Sequence, residues 1–347
     1  MLTSLGDGPA ATFSAIRAGI GGLALQKRLP LSGRDPDWDP PEPMRAARVP
    51  TIPLDVPGPE RIRRLALAAL NDALGRVAFG RADLAKTALL VGGPSLDSAV
   101  EAWQLHSFAN DLVDRAGLGG LAIVEQRLCG HASAAMLFAR AAELLAPRPA
   151  QPNATAGAIE QVIVVLADTY LSRDRVAALD AAGRLGSRRS PEGFAGGEAG
   201  VALVLRPGRR GETGFASVKG IGLGVEADTF FTDRAPSGRG LEAAIQTACS
   251  SWSPGRAIQW VLSDMNGEPY RAADWGVARA RLGARVASDL TLIHPADLLG
   301  DLGSAMGGVL TAFAADSLAT GTAESDHALV LSAADGAERA AVLLEGA

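Results

Sequence analysis

Four side chains in this sequence have the type and setting that chemistry requires. Cys129 and His131 lie in Arg127-Leu-Cys-Gly-His-Ala-Ser-Ala134, Asp264 in Val261-Leu-Ser-Asp-Met-Asn-Gly267, and Asp301 in Leu299-Gly-Asp-Leu-Gly-Ser-Ala-Met-Gly307. A cysteine at the head of a helix becomes a nucleophile when unpaired N–H groups and the helix dipole lower its pKa. An aspartate beside it can act as general base, which suits acyl transfer or thioester hydrolysis. Asn266 could supply a hydrogen-bond donor to the same place. Each group also has a plain structural use. Asp301 suits a helix cap, Asp264 suits a turn, and His131 suits a helix start where its ring bonds locally. Four histidines (His106, His131, His294, His327) and two cysteines (Cys129, Cys249) are scattered without ligand spacing. They call for no metal, and no cofactor is expected.

The elements that must position these groups follow from hydrophobic periodicity. Apolar residues at helical spacing run from Pro59 to Leu74. Short apolar runs at Thr87–Gly92, Leu121–Glu125 and Gln161–Ala167 read as buried strands. A helix of small residues is expected from His131 to Leu145, another from Arg173 to Ala182, and a strand over Gly200–Leu205. The second part repeats this grammar. A strand at Phe215–Gly222, helix Gly240–Ala248 and strand Ile258–Ser263 come first. Helix Ala272–Leu282, strand Leu290–His294, helix Gly303–Leu318 and strands at Ala328–Ser332 and Ala340–Leu344 follow. Residues 30–58, with seven prolines between Pro36 and Pro57, read as an irregular surface excursion.

The helices His131–Leu145 and Gly303–Leu318 are both faced with Ala, Gly and Ser, and each feeds an apolar strand. Small residues let neighbouring backbones approach, so such helices can be buried on all sides. Two copies of one α/β unit, layered α-β-α-β-α, account for the pattern. The halves are expected at residues 1–210 and 211–347.

Composition narrows the function classes. The 347 residues are 48% hydrophobic and 20% charged with net charge -5. An acidic chain is a poor match for nucleic acid. The apolar stretches are too short to span a bilayer, and the N-terminus lacks the pattern of a signal peptide. Two thiols without a disulfide framework fit a reducing compartment, the cytoplasm.

Three segments resemble the β-ketoacyl synthase branch of the thiolase superfamily. Thr3-Ser-Leu-Gly6 with Phe13-Ser-Ala-Ile-Arg-Ala-Gly-Ile-Gly-Gly22 resembles the synthase opening. Ser190-Pro-Glu-Gly-Phe-Ala-Gly-Gly-Glu-Ala-Gly-Val-Ala-Leu-Val-Leu205 is similar to the Asp-Gly-Phe…Gly-Glu-Gly-Ala…Leu-Val-Leu element. Gly300-Asp-Leu-Gly-Ser-Ala-Met-Gly307 looks like the Gly-His…Gly-Ala-Ala-Gly element. The synthases carry a core strand ahead of the Thr-x-Leu-Gly turn, and here Met1 lies two residues before it.

The resemblance implies an α/β, thiolase-like fold and catalytic positions at the start of the first central helix and at Asp264 and Asp301. Family enzymes carry a cysteine at the first position and two histidines at the others. Registering the downstream helix puts His131 in the nucleophile slot, while a two-residue slip would put Cys129 there. Thr247-Ala-Cys-Ser-Ser251 matches the nucleophile motif nearly letter for letter but ends a helix rather than starting one. Condensation stabilises a developing enolate with two hydrogen-bond donors, and an ionised carboxylate only accepts. The resemblance therefore implies a chain poorly equipped for decarboxylative condensation. It would act as a non-catalytic partner or acyl-binding subunit in a fatty-acid- or polyketide-type pathway, with Phe194 shaping an acyl tunnel. The alternative is an acyltransferase or thioesterase with an acyl-enzyme on Cys129. Implied partners are a second copy or a related synthase, and an acyl carrier protein or acyl-CoA.

Overall fold

The computed structural model describes residues 1–33, 39–77, 80–95, 105–147, 158–208, 214–232, 234–252 and 255–347. The expected junction at residues 210 and 211 lies outside the described residues. The first part contains β1 (Leu2–Thr3), β2 (Gly6–Asp7), α1 (Pro9–Arg17), β3 (Leu23–Leu31), β4 (Glu42–Ala47) and α2 (Gly58–Arg76). There follow β5 (Thr87–Gly92), α3 (Phe108–Ala116), β6 (Ile123–Arg127), α4 (Ser133–Leu145), β7 (Gln161–Thr169), α5 (Arg173–Ala181) and β8 (Gly196–Leu205). The second part contains β9 (Ala216–Val225), α6 (Arg239–Ala248), β10 (Ile258–Ser263), α7 (Pro269–Leu282) and β11 (Val286–Ile293). It ends with α8 (Ala296–Leu299), α9 (Met306–Thr320), β12 (His327–Ala333) and β13 (Glu338–Gly346).

β7 and β12 are buried at every position. A strand apolar on both faces must lie between two layers of helix. Val162, Val164 and Leu166 of β7 pack with α4 and α9, as do Val330 of β12 and Val342 of β13. Ile163, Val165 and Ala167 pack instead with α2 and α3. Leu329 and Leu331 turn to α6 and α7. The layers are therefore helix, sheet, helix, sheet, helix, with α4 and α9 in the middle. This is the α/β, thiolase-like five-layered fold.

Both sheets are wired alike. One runs β6-β5-β7-β8-β1 and the other β11-β10-β12-β13-β9. In each, three strands are parallel and the fourth turns antiparallel. The fifth strands differ, since β9 has ten residues and β1 only two, paired to β8 through Leu2 and Gly200. The irregular excursion needs correction. It contains the end of β3 and all of β4, which pair antiparallel, and β4 joins β8 at Ala46 and Ala47. Its prolines are compatible with strand because β3 is an outer strand whose register shifts between Gln26 and Pro30.

Glycine sets how closely helix and sheet approach. A Cβ on Gly222 of β9 would lie 1.8 Å from the Ala244 carbonyl oxygen of α6, while one on Gly276 of α7 would meet nothing within 4 Å. Gly222→Ala should therefore lower stability by about 1–3 kcal/mol, because backbone cannot step aside cheaply. Gly276→Ala should raise it by up to about 1 kcal/mol, through helix propensity. Urea midpoints for the two variants that move in the same direction would contradict this packing.

Candidate functional site

The same device opens both central helices. Before α4 comes a 3-10 turn, Gly130–Ala132, and before α9 comes another, Gly303–Ala305. Gly130 (φ 57°) and Gly303 (φ 53°) hold left-handed conformations, which side chains other than glycine's adopt with difficulty. The first turn aims His131 toward the space between the sheets. Asp301 stands two residues before the second, with its N–H donated to Ala195 and its carbonyl accepting from Gly197, both at 2.8 Å. Asp264 directly follows β10.

These placements bring His131, Asp264, Asp301 and Asn266 together. His131 Nε2 lies 2.9 Å from Asp301 Oδ1. That oxygen also accepts the Gly303 N–H at 2.8 Å, and Asn266 Nδ2 donates to Oδ2 at 2.7 Å. Asp264 Oδ2 accepts the Ala333 N–H at 2.8 Å. Arg271, from the first turn of α7, fills the middle. Its Nη1 is 3.5 Å from Asp264 and donates to the Ala333 carbonyl; its Nη2 is 3.4 Å from His131 Nδ1 and donates to Asp335 Oδ1 at 2.7 Å. Arg184 closes the outer end with two 2.8 Å bonds to Glu268 and one of 2.7 Å to Asp335 Oδ2. Its guanidinium lies 4.0 Å from the Phe230 ring centroid. His131, Asp264, Asp301 and Arg271 are each no more than 4% exposed, so this part of the cluster is closed to solvent, while Asp335 at the outer end keeps 23% of its side chain exposed.

The electrostatics follow from that sealing. Burial would raise the pKa of Asp301, but the His131 charge and hydrogen bond, then Arg271 and the Gly303 N–H, hold it well below the usual carboxylate range. Asp335 is likewise held low against its burial by Arg271 and Arg184. For Asp264, burial wins over Arg271 and His131, and its pKa is raised. His131 is opposed first by burial and next by the Arg271 charge; Asp301 and Asp264 outweigh both and raise its pKa.

Cys129 is not part of this network. Its backbone N–H donates to Ser133 Oγ at 3.2 Å. Its sulfur makes no hydrogen bond among the described residues, and burial, with Glu338 behind it, pushes the thiol pKa up. A thiol held protonated is a poor nucleophile. Cys249 is fully buried just after α6, with its thiol pKa also raised by burial. His294 is exposed just after β11. Phe194 is buried, stacks edge-on against Tyr170 at 5.0 Å, and packs among Leu29, Leu31, Met44 and Leu185.

Sequence reasoning missed Arg271, Arg184, Glu268 and Asp335. Arg271 carried a signal, because it shares the buried face of α7 with Trp275, Ala278 and Leu282 at helical spacing. A cation in an apolar register implies a buried acid. Arg184 and Asp335 lie in connections with no such register.

An arrangement of this kind can hold charge and fix backbone. It offers carboxylates, which only accept hydrogen bonds when ionised, and no activated thiol. No protein-family model matches the chain, and no curated protein matches it. Solved structures do match. The ishigamide ketosynthase/chain length factor superposes with a TM-score of 0.73 at 16% identity, covering 100% of this chain and 97% of that one. A type II polyketide acyl-carrier protein in complex with its ketosynthase, bound to the hexaketide, gives a TM-score of 0.76 at 13% identity, with 100% and 97% covered. A β-ketoacyl synthase from Burkholderia phymatum gives 0.69 at 16%, again with 100% and 97% covered. At such identities the likeness concerns architecture, and this chain has the thiolase-like fold of the ketosynthases.

Proposed function

We propose that the chain is a non-condensing, ketosynthase-like subunit that serves as a partner in a fatty-acid- or polyketide-type assembly. The observation that carries this reading is the sealed cluster at the head of α4. There His131 is bound to Asp301, and Arg271 and Asp264 occupy the remaining space. Condensation would need a thiolate and two donors at that place, and two buried carboxylates work against both. The residues His131, Asp264, Asp301 and Asn266 take structural roles in this reading, and Phe194 a core role. One similar structure is described as a ketosynthase/chain length factor and another as a ketosynthase with its acyl-carrier protein, which suits a synthase or carrier as partner. β6, an outer strand that runs straight into Cys129 and His131, is where pairing with a second ketosynthase-like chain would join the two sites.

The test is intact-protein mass spectrometry after incubation with acetyl, malonyl and hexanoyl donors on coenzyme A and on carrier protein. The expected result is an unmodified mass with every donor. An adduct that disappears in Cys129→Ser would overturn the proposal and establish an acyl-enzyme.

A further inference from the structure

β6 ends the first sheet, and among the described residues no strand pairs with its outer edge. Its side chains alternate. Ile123 and Glu125 face the middle layer, where Arg140 of α4 holds Glu125 with bonds of 2.8 and 3.0 Å. Val124 and Gln126 face α3, where the Gln126 amide accepts the Ala109 N–H at 3.1 Å and donates to the Leu105 carbonyl at 3.0 Å. Arg127 falls on the Glu125 face by alternation. It is exposed and makes no hydrogen bond or salt bridge among the described residues.

An open edge beside exposed apolar surface is a place for another strand. β9 supplies the apolar surface. Its Ile221, Leu223 and Val225 oppose Val342, Ala340 and Glu338 of β13, and so point toward the middle layer. Leu223 is 45% exposed and Val225 75%. They stand beside the end of β6, since α4 packs on β9 and Glu338 lies behind Cys129.

We propose that β6 pairs antiparallel with β6 of a second copy of this chain, in the register that sets Gln126 opposite itself and Glu125 opposite the partner's Arg127. This rests on the partner role proposed above and names the partner at β6. Opposed residues in a sheet share a face, so odd positions must meet odd and even meet even. A two-fold axis perpendicular to the sheet therefore passes through one residue of the strand. An axis at Glu125 or Arg127 sets like charges opposite each other. An axis at Ile123 or Val124 sets Glu125 against Leu121 or Ile123. An axis at Gln126 gives two symmetric Glu125–Arg127 pairs, with Val124 against Leu128, and it alone matches charge with charge and apolar with apolar. Of the outer strands β3, β6, β9 and β11, β6 is the one that carries both an acid and a cation. β3, with Lys27 and Arg28 exposed, would repel its own copy. The axis at Gln126 also turns the β9 shelf toward its counterpart, which removes Leu223 and Val225 from water.

The experiment measures molecular mass by sedimentation equilibrium, with no acyl donor present, for the full chain and two single variants. The native chain is expected at twice 35.5 kDa. Arg127→Glu sets acid against acid across the axis, and Glu125→Lys sets cation against cation. Each is expected to raise the dimer dissociation constant about tenfold or more. Mixed in equal amounts, the two variants regain both ion pairs and should form a heterodimer as tight as the native dimer. Neither variant strips the monomer of a needed contact, because Arg127 has no partner to lose and Arg140 keeps Glu143 at 2.9 Å. If Glu125→Lys does not fold, Arg127→Glu against Arg127→Gln decides, the glutamine being the milder change. A monomeric native chain, a dimer indifferent to Arg127→Glu, or a mixture no tighter than the single variants would each overturn the proposal. No acyl donor enters the measurement, so its failure is distinct from a failure of the mass-spectrometric test above.

Discussion

A His131→Cys variant is expected to remain unable to condense malonyl units. The substitution places a thiol at the head of α4, but beside Asp301 and Asp264. Burial and two neighbouring carboxylates raise a thiol pKa rather than lower it. The donors nearest that place, Arg271 and Asn266, are already bound to Asp335 and Asp301, so the enolate would meet carboxylates where it needs free donors. Each missing donor costs roughly 10²–10³ in rate, so two missing donors place the variant roughly 10⁴–10⁶ below a competent synthase. Release of carbon dioxide from a malonyl-carrier donor, followed together with product mass, measures this directly. Condensation by the single variant within tenfold of a working synthase would show that the carboxylates do not block the chemistry.

Loss of Arg271 should be the most damaging change to stability at the site. Arg271 is 3% exposed and lies against Asp264, Asp335 and His131. Arg271→Met keeps most of the side-chain volume and removes the charge. It leaves buried carboxylates uncompensated, a defect that typically costs about 3–5 kcal/mol. Arg271→Met combined with Asp264→Asn should recover part of that loss, because one stranded charge is gone. A coupling of about 0.5–3 kcal/mol between the two sites is expected in a double-mutant cycle by chemical denaturation. A loss below about 1 kcal/mol for Arg271→Met alone would show that its neighbours find other partners.

The ketosynthase-like architecture and the proposed loss of condensation rest on two different kinds of residue. Gly130 and Gly303 keep the turns that aim side chains into the space between the sheets. His131, Asp264 and Asp301 occupy that space with a histidine–carboxylate pair and a second carboxylate. The turns place no demand on the chemistry of the side chains they aim, because they depend on glycine φ values and on backbone hydrogen bonds, from the Gly130 N–H to the Gly93 carbonyl and from the Gly197 N–H to the Asp301 carbonyl.

Much of the architecture was legible in order along the chain. The apolar runs of β5, β7, β10 and β12 were long enough, and β-branched or aliphatic enough, to stand out. The Ala- and Gly-rich helices α4 and α9 were legible as central because only small residues tolerate packing on all sides. β3 and β4 were hidden behind prolines, of which Pro30 and Pro43 sit opposite each other where the β3–β4 register shifts, away from the β4–β8 pairing at Ala46 and Ala47. α3 was hidden by a short amphipathic stretch without a long apolar run. The candidate positions His131, Asp264 and Asp301 were legible through motif resemblance, but their mutual contacts were not.

The sequence by itself determined the layered α/β fold, the repeat of one unit and the presence of carboxylates at two key positions. These follow from local periodicity and residue size, which act over a few turns or a single strand. Only the tertiary structure decided what the carboxylates face. Arg184, Glu268, Arg271 and Asp335 come from a loop, a helix start and a strand connection, 151 residues apart at the extreme between Arg184 and Asp335. Electrostatic partners are chosen by distance through space and by desolvation, and neither is written in sequence spacing. The same holds for Cys129, whose sequence setting suggests a nucleophile, while its burial and lack of a hydrogen-bonded base among the described residues keep the thiol protonated.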